Sequence, residues 1–321
     1  MRLTGGGGAF LASLGRRRPK PAVREEGRLT PRRATRRREQ LRLTPLRLAG
    51  IVLLPFFAPL LTGGTADAIS AARGPHRTVA FERDDPSFAG GMRPILLHGE
   101  LPDGDALPWL LIATRSGKVP TDYDALVGQL ASHGIAAIVV ERLPDESWWQ
   151  YADALASASL GLATEASTAH APLFGRLERH RLGLLADGDG AAAAVRAAAR
   201  IKDLAALMLL DPGETGPATA WLAEVPVPLL SVSSAEAPRE PARAWFEAGA
   251  RDGSARWLVQ FEGENAFEPS AAPTATIARE VGTLVTTFAA LQLSAVGDGA
   301  PPRSFRQLAK AGRIARHVES N

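Results

Sequence analysis

The sequence predicts an α/β protein built on a mostly parallel central β-sheet. Three observations support this prediction. Beyond residue 76, short apolar runs alternate with longer helical segments, as in strands connected by crossover helices. The first two runs are joined by a glycine-containing connection instead of a helix, which predicts a leading antiparallel hairpin. Hydrophobic residues make up 45% of the 321-residue chain, enough for a sizeable core.

Eight segments are predicted to be strands. The first two, "RTVAFER" and "RPILLHGEL", form the hairpin. Later runs such as "PWLLIAT" and "IAAIVVE" are apolar throughout, as expected for strands that are covered on both faces. In chain order, the predicted strands span 77–83, 93–101, 108–114, 135–141, 181–186, 205–211, 227–232 and 255–262.

Five helices are predicted to cover both faces of this sheet. Thr121 or Asp122 can cap the start of the first helix, and Gly134 can end it. The second helix opens on "SWWQY", whose Trp148 and Trp149 either pack on neighbouring elements or wall a cleft. The predicted helices span 121–134, 146–168, 188–200, 241–250 and 276–296.

Residues 1–68 are predicted to be a basic, disordered n-region followed by a targeting segment. The first 47 residues hold 14 Lys and Arg but only three acidic residues. The uncharged run 48–61 has 14 residues and two prolines, so it is short for a span of about 20 residues. Small residues follow it, including Ala66 and Ala68, as before a signal-peptidase cut. This pattern predicts a periplasmic or secreted protein, with a cleaved signal peptide or with 48–61 kept as an anchor. Sec and twin-arginine export both stay open.

The predicted domain spans 69–296, and a basic C-terminal tail spans 297–321. From residue 69 onward the chain has 23 basic and 30 acidic residues, so nucleic acid is not a predicted partner. Membrane contact is predicted only through the N-terminal segment. The tail is either a frayed end or a segment that docks on the acidic body. The absence of cysteine excludes disulfides, Cys-ligated zinc and a Cys nucleophile.

The stretch "RLGLLADGDGAAAAVRAAAR", residues 181–200, predicts a strand, a tight turn and a helix. Its turn contains Asp187, Gly188 and Asp189. An α/β enzyme places a nucleophile or a nucleotide phosphate at such a turn. The turn is therefore the first candidate for a functional site.

The order of elements resembles that of the α/β-hydrolases, most closely the branch of secreted esterases, dienelactone hydrolases and polyester hydrolases. The similarity covers residues 77–293, and "YDALVGQLASHGIAAIVVE" and "RLGLLADGDGA" carry it. The resemblance implies an α/β-hydrolase fold, and it aligns the 181–200 turn with the nucleophile elbow. Gly188 then falls on the nucleophile position, between the small residues Ala186 and Gly190.

The resemblance also implies that the catalytic triad is lost. Glycine has no side chain to form an acyl-enzyme, and Asn265 stands where the general base is expected. Ala237 stands at the position of the acid, with Glu236 beside it. The resulting hypothesis is a non-catalytic protein, without a cofactor, that keeps a cleft for a small or ester-like ligand or for an interaction. The predicted cleft residues are Thr114, Arg115, Ser116, Asp187, Gly188, Asp189 and Asn265.

Two alternatives stay open. In the first, the protein is a carboxylic-ester hydrolase with displaced residues, either Ser116 as nucleophile or Asp187 and Asp189 activating water. In the second, "GLLADGDGAAA" is a dinucleotide-binding turn of the form G-x-G-x-x-A, and Asp211 binds a ribose. A metal site at Asp187, Asp189 and Glu264 is disfavoured, because no further ligand stands at a suitable spacing.

Overall fold

A computed structural model describes residues 73–85, 95–213, 216–234, 239–248, 255–261, 267–269, 276–293 and 314–320. All of these residues belong to one compact unit. The predicted targeting segment lies outside the described residues, as do Glu236, Ala237, Glu264 and Asn265. Within the described ranges, no helix is long and apolar enough to cross a membrane.

The strands of the described residues form one nine-stranded sheet in the order β1-β2-β4-β3-β5-β6-β7-β8-β9. The pairs β1–β2, β2–β4 and β8–β9 are antiparallel, and the remaining neighbours are parallel. The prediction of a mostly parallel sheet with a leading antiparallel pair is therefore confirmed. The strands span Thr78–Asp85 (β1), Ile95–Pro102 (β2), Leu107–Ala113 (β3), Ala136–Val140 (β4), Leu177–Asp187 (β5), Leu204–Leu210 (β6), Leu229–Ser234 (β7), Arg256–Phe261 (β8) and Ile314–Ser320 (β9).

Helices cover both faces of the sheet, because alternate residues of each central strand point to opposite sides. On β3, Trp109 and Leu111 join the apolar cluster under α2 and α3, whereas Leu110 and Ile112 join the cluster under α1 and α6. The helices span Asp124–Ser132 (α1), Trp148–Ser167 (α2), Gly190–Ala198 (α3), Thr219–Leu222 (α4), Arg239–Ala248 (α5) and Thr276–Leu293 (α6).

Two helix starts illustrate how local sequence sets these boundaries. Helix α2 begins with a capping box, in which the Ser147 hydroxyl accepts from the Gln150 N–H at 3.3 Å and Gln150 Oε1 accepts from the Ser147 N–H at 3.1 Å. The helix predicted from 121 starts instead as a 3-10 turn at Pro120–Tyr123 and becomes α-helical at Asp124. The Asp122 carboxylate accepts from the Val119 N–H at 3.0 Å, so it stabilises this turn and not the start of α1.

Two described elements were absent from the sequence prediction. Helix α4 is only one turn long. The end of the basic tail forms β9, which pairs antiparallel with β8 from Arg256↔Ser320 to Phe261↔Ile314. The interpretation of a frayed end is therefore wrong for residues 314–320. The segment "IARHVES" carries charges that weaken its strand pattern, as is common in edge strands.

The topology positions the predicted site. From β3 the chain passes through α1 to β4 on one side, then through α2 to β5 on the other side of β3. The later parallel strands extend away from β4. A reversal of this kind separates the connections at the carboxyl ends of two adjacent strands, and ligands of open α/β sheets bind in that crevice. The loop after β3 and the turn after β5 meet there.

Replacement of Leu184 tests the packing of this centre. Leu184 on β5 is fully buried under α2 and α3, so Leu184→Ala should lower the free energy of unfolding by about 2–5 kcal/mol. Leu160 on α2 is 68% exposed, and Leu160→Ala should change it by less than about 0.5 kcal/mol. Urea unfolding of both variants measures the difference. Equal values would show that β5 is not central to the core.

Candidate functional site

The loop that leaves β3 is tied to the end of β4 by a buried tyrosine. The Thr114 N–H donates to the Tyr151 hydroxyl at 2.7 Å, and that hydroxyl donates to the Val140 carbonyl at 2.6 Å. Burial raises the pKa of Tyr151, although the hydrogen bonds from Thr114 oppose the shift. The phenol therefore stays protonated and holds the carboxyl ends of two adjacent strands in place.

The turn after β5 has the sharp geometry of an elbow. Gly188 has φ of +55°, a left-handed conformation that glycine adopts without strain. Its N–H donates to the Leu210 carbonyl at 2.9 Å, and its carbonyl accepts from the Gly213 N–H at 3.1 Å. A Cβ at Gly188 would lie 3.0 Å from Cβ and 3.2 Å from Nε of Arg115. The Arg115 side chain thus occupies the space into which a side chain at this position would point.

Arg115 forms a bidentate ion pair with Asp187, the last residue of β5. Its Nε donates to Oδ2 at 2.8 Å and its Nη2 to Oδ1 at 2.5 Å, and Nη2 also donates to the Phe267 carbonyl at 3.0 Å. The Tyr123 hydroxyl adds a third hydrogen bond to Asp187, at 2.7 Å. Asp187 is completely buried. Both oxygens of this predicted cleft residue are therefore engaged inside the protein.

Burial and charge act in opposite directions on the groups of this pair. Burial raises the pKa of the Asp187 carboxyl, and the hydrogen bonds and charge of Arg115 oppose that shift. Burial by itself lowers the pKa of Arg115, but Asp187 outweighs it and the net shift is upward. Burial and the adjacent carboxylate both raise the pKa of Tyr123, which stays a hydrogen-bond donor. Arg115 and Tyr123 therefore both donate to Asp187 throughout the neutral pH range.

Asp189 occupies the other side of the turn. Its Oδ1 accepts from the Ser116 N–H at 2.8 Å, and its Oδ2 accepts from Arg142 Nη1 at 2.7 Å. The Arg115 N–H donates to the Tyr123 hydroxyl at 3.2 Å. With Thr114 included, three consecutive N–H groups of this loop donate to side-chain oxygens of the protein.

A second carboxylate, that of Asp211 after β6, holds the end of β7 and the segment after β8. Asp211 has φ of +41°, and its Oδ1 accepts from the Ser234 N–H at 3.0 Å. Its Oδ2 accepts from the Phe267 N–H at 2.8 Å. The residue proposed to bind a ribose in the dinucleotide hypothesis therefore binds two backbone groups of its own chain.

The predicted cleft residues fall into two groups. Thr114, Arg115, Ser116, Asp187, Gly188 and Asp189 lie together at the crevice. Asn265 lies outside the described residues, as does Glu264 of the metal hypothesis. Among the described residues, no group of three His, Cys, Asp or Glu side chains could hold a metal ion.

Sequence patterns missed several residues of this network, namely Tyr123, Tyr151, Arg142, Asp211 (in this role) and Phe267. A usable signal existed for two of them. The chain contains only two tyrosines, and both hydroxyls bind the loop after β3. Both lie in segments predicted to be helical, where a buried phenol requires a hydrogen-bond partner.

Trp148 and Trp149 lie at the start of α2 and pack on each other, with ring centroids 3.9 Å apart. Trp221 on α4 lies 5.2–5.5 Å from both rings. The Arg196 guanidinium lies 3.9 Å from the Trp149 ring centroid, a cation–π distance. The contacts of these tryptophans match the packing interpretation, since each ring is in contact with another part of the chain.

Comparison with known proteins gives no match: no protein-family model matches the sequence, and no curated protein matches it.

Removal of Arg115 should strongly destabilise the protein, because Asp187 would be left buried without its cation. Arg115→Ala should lower the free energy of unfolding by about 3–5 kcal/mol. The double variant Arg115→Ala/Asp187→Ala should lose less than the sum of the two single variants. As a control, Arg179→Ala breaks an exposed pair with Asp203 and should cost less than about 1 kcal/mol. Additive losses in the denaturant double-mutant cycle would contradict the pairing.

Asp189 should make stability depend on acid pH. Burial acts to raise its pKa, but the hydrogen bond from the Ser116 N–H and the charge of Arg142 outweigh it, so the net shift is downward. A lowered pKa in the folded state stabilises the protein above the unfolded value of about 4, and this contribution disappears as the pH falls through the folded value. Asp189→Asn should therefore be less stable than the wild type near pH 7, and the difference should shrink below about pH 4. A difference that stays constant across urea titrations at several pH values would contradict this assignment.

Proposed function

We propose that this protein is an exported α/β-hydrolase-fold protein that does not catalyse hydrolysis and acts by binding another molecule. The observation that carries the proposal is the position of Arg115. Its side chain fills the space in front of Gly188 and pairs with Asp187, where a hydrolase would hold its nucleophile and substrate.

The described turn supports the α/β-hydrolase assignment. A nucleophile elbow needs a sharp strand-to-helix turn with small residues two positions before and after the central residue. Ala186 and Gly190 flank Gly188 in this way, and Gly188 has a positive φ. A Cβ at Gly190 would lie 2.8 Å from the Thr114 carbonyl oxygen, so only glycine lets α3 start this close to β3. The leading antiparallel pair agrees with the same assignment.

Three requirements of acyl transfer support the absence of catalysis. A nucleophile must reach the substrate, but Gly188 has no side chain. Preorganised N–H donors must point at the developing oxyanion, but those of Thr114, Arg115 and Ser116 already donate to protein oxygens. A general base must adjoin the nucleophile. Three of the described histidines, His98, His133 and His180, instead bind Asp124, the Gln129 carbonyl and Asp203.

For a domain that does not catalyse hydrolysis, we infer a binding role. We also infer that the protein is exported. The basic n-region and the apolar run 48–61 support export, with membrane contact through that segment alone. A ligand that used the crevice itself would have to displace Arg115 from Asp187. Binding by groups outside the crevice requires no such displacement.

Assays of ester hydrolysis and of serine labelling distinguish this proposal from an active hydrolase. The purified protein should neither hydrolyse p-nitrophenyl acyl esters above the buffer rate nor react with a fluorophosphonate probe. Gly188→Ser should stay inert too, since its side chain would meet Arg115. An active serine esterase is the positive control. Probe labelling of the wild type that Ser116→Ala abolishes would overturn the proposal in favour of a displaced nucleophile.

A further inference from the structure

A groove of about 330 Å³ lies between α1 and α6, beside β2, on one face of the sheet. Its polar lining includes Glu100 of β2 and Gln129 of α1, and Leu126 and Phe267 contribute apolar surface. The volume falls within the range of small-molecule sites. Phe267 lines the groove, and its carbonyl accepts from Arg115 of the crevice. The groove is thus a neighbour of the crevice and not a part of it.

Two polar groups of this groove lack hydrogen-bond partners among the described residues. Glu100 Oε2 is buried and accepts no hydrogen bond, and Gln129 Nε2 is buried and donates none. Buried polar groups are almost always paired in proteins, because an unmade hydrogen bond costs free energy. In the crevice, by contrast, both carboxylate oxygens of Asp187 and of Asp189 accept hydrogen bonds. An unpaired carboxylate oxygen and an unpaired amide in one groove therefore call for a partner from outside the chain.

Gly128 is a second, independent indication at the same place. It lies in the middle of α1, where glycine is less favourable than alanine. The atoms nearest to a Cβ at Gly128 all belong to the Glu100 carboxyl group, with Oε1 at 3.6 Å and Oε2 at 3.8 Å, an ordinary contact distance. Packing therefore does not require glycine here. By contrast, a Cβ at Gly282 of α6 would collide with Gln129 Oε1. Glycine at 128 leaves the space beside the Glu100 carboxylate open.

We propose that this groove binds a small molecule that carries a primary ammonium group, with Glu100 as its acceptor. A charged N–H donor is the group that best satisfies a buried carboxylate oxygen. Asp124 and Glu268 also line the groove, but they already pair with His98 and Lys118, which leaves Glu100 as the acceptor. The apolar lining accommodates a short carbon chain. Two exposed arginines, Arg73 and Arg279, also line the groove and can donate hydrogen bonds to a carboxylate at the other end of a zwitterionic ligand.

This inference goes beyond the proposed function and does not depend on it. Amine binding is measured without any ester, and hydrolysis is measured without any amine. A positive or negative result in one assay therefore leaves the other result unchanged.

Binding to the full chain tests the proposal, with n-butylammonium and 4-aminobutyrate as probes and calorimetry and thermal unfolding as readouts. At least one amine should bind saturably and raise the Tm. Butyrate lacks the ammonium group and tetramethylammonium has no N–H to donate. Neither compound should bind saturably or raise the Tm. Glu100→Gln should weaken binding about tenfold or more. Gly128→Leu should block it while Glu100 is kept. Glu224→Gln, on the exposed turn after α4, is a matched control that should bind as the wild type does.

A measurement without ligand tests the same assignment. Because Glu100→Gln removes a carboxylate whose buried Oε2 accepts no hydrogen bond, the ligand-free variant should have a Tm equal to or higher than that of the wild type. A lower Tm would show that Glu100 has a structural partner in the chain, and it would overturn the proposal. Absence of saturable binding by either amine at tens of millimolar would also overturn it, as would equal binding by Glu100→Gln.

Discussion

The ion pair between Arg115 and Asp187 is the interaction on which the centre of this protein depends. Asp187 ends the central strand β5 with its carboxylate completely buried, a placement that is costly without a cation and full hydrogen bonding. Arg115 supplies both from the loop after β3, and Tyr123 adds a further donor. The same guanidinium binds the Phe267 carbonyl. One pair therefore sets the position of three segments at the carboxyl edge of the sheet.

The pair also supports the proposal that this edge does not catalyse acyl transfer. An active site keeps preorganised donors free for charge that develops in the transition state. Here the loop N–H groups donate to Tyr151, Tyr123 and Asp189, and the space in front of Gly188 is filled. Polar groups without partners occur instead in the groove beside Glu100. Among the described residues, two such groups, Glu100 Oε2 and Gln129 Nε2, lie beside the crevice and not in it.

Most of the sheet was predictable, because its strands are continuous apolar runs bounded by turn residues, as in "IAAIVV" of β4 and "LAALMLL" of β6. The turn at Gly188 was also predictable from its small, flexible residues. Edge strand β9 was not, since its charged sequence matches no strand pattern and its partner β8 is distant in the chain. The resemblance predicted that Asp187 lines a cleft. Its carboxylate is instead turned inward, because its hydrogen-bond partners Arg115 and Tyr123 lie there.

By itself, the sequence determined the kind and order of most elements and the absence of a side chain at Gly188, because these are local properties of composition, periodicity and turn chemistry. Only the tertiary structure decided that the Arg115 side chain fills the space in front of Gly188. Arg115 is 72 residues from Asp187 and 152 from Phe267, and no local pattern relates positions so far apart. They meet because the strand order places β3 beside β5 at a reversal of the sheet. Burial then makes the pairing of Asp187 with Arg115 energetically necessary.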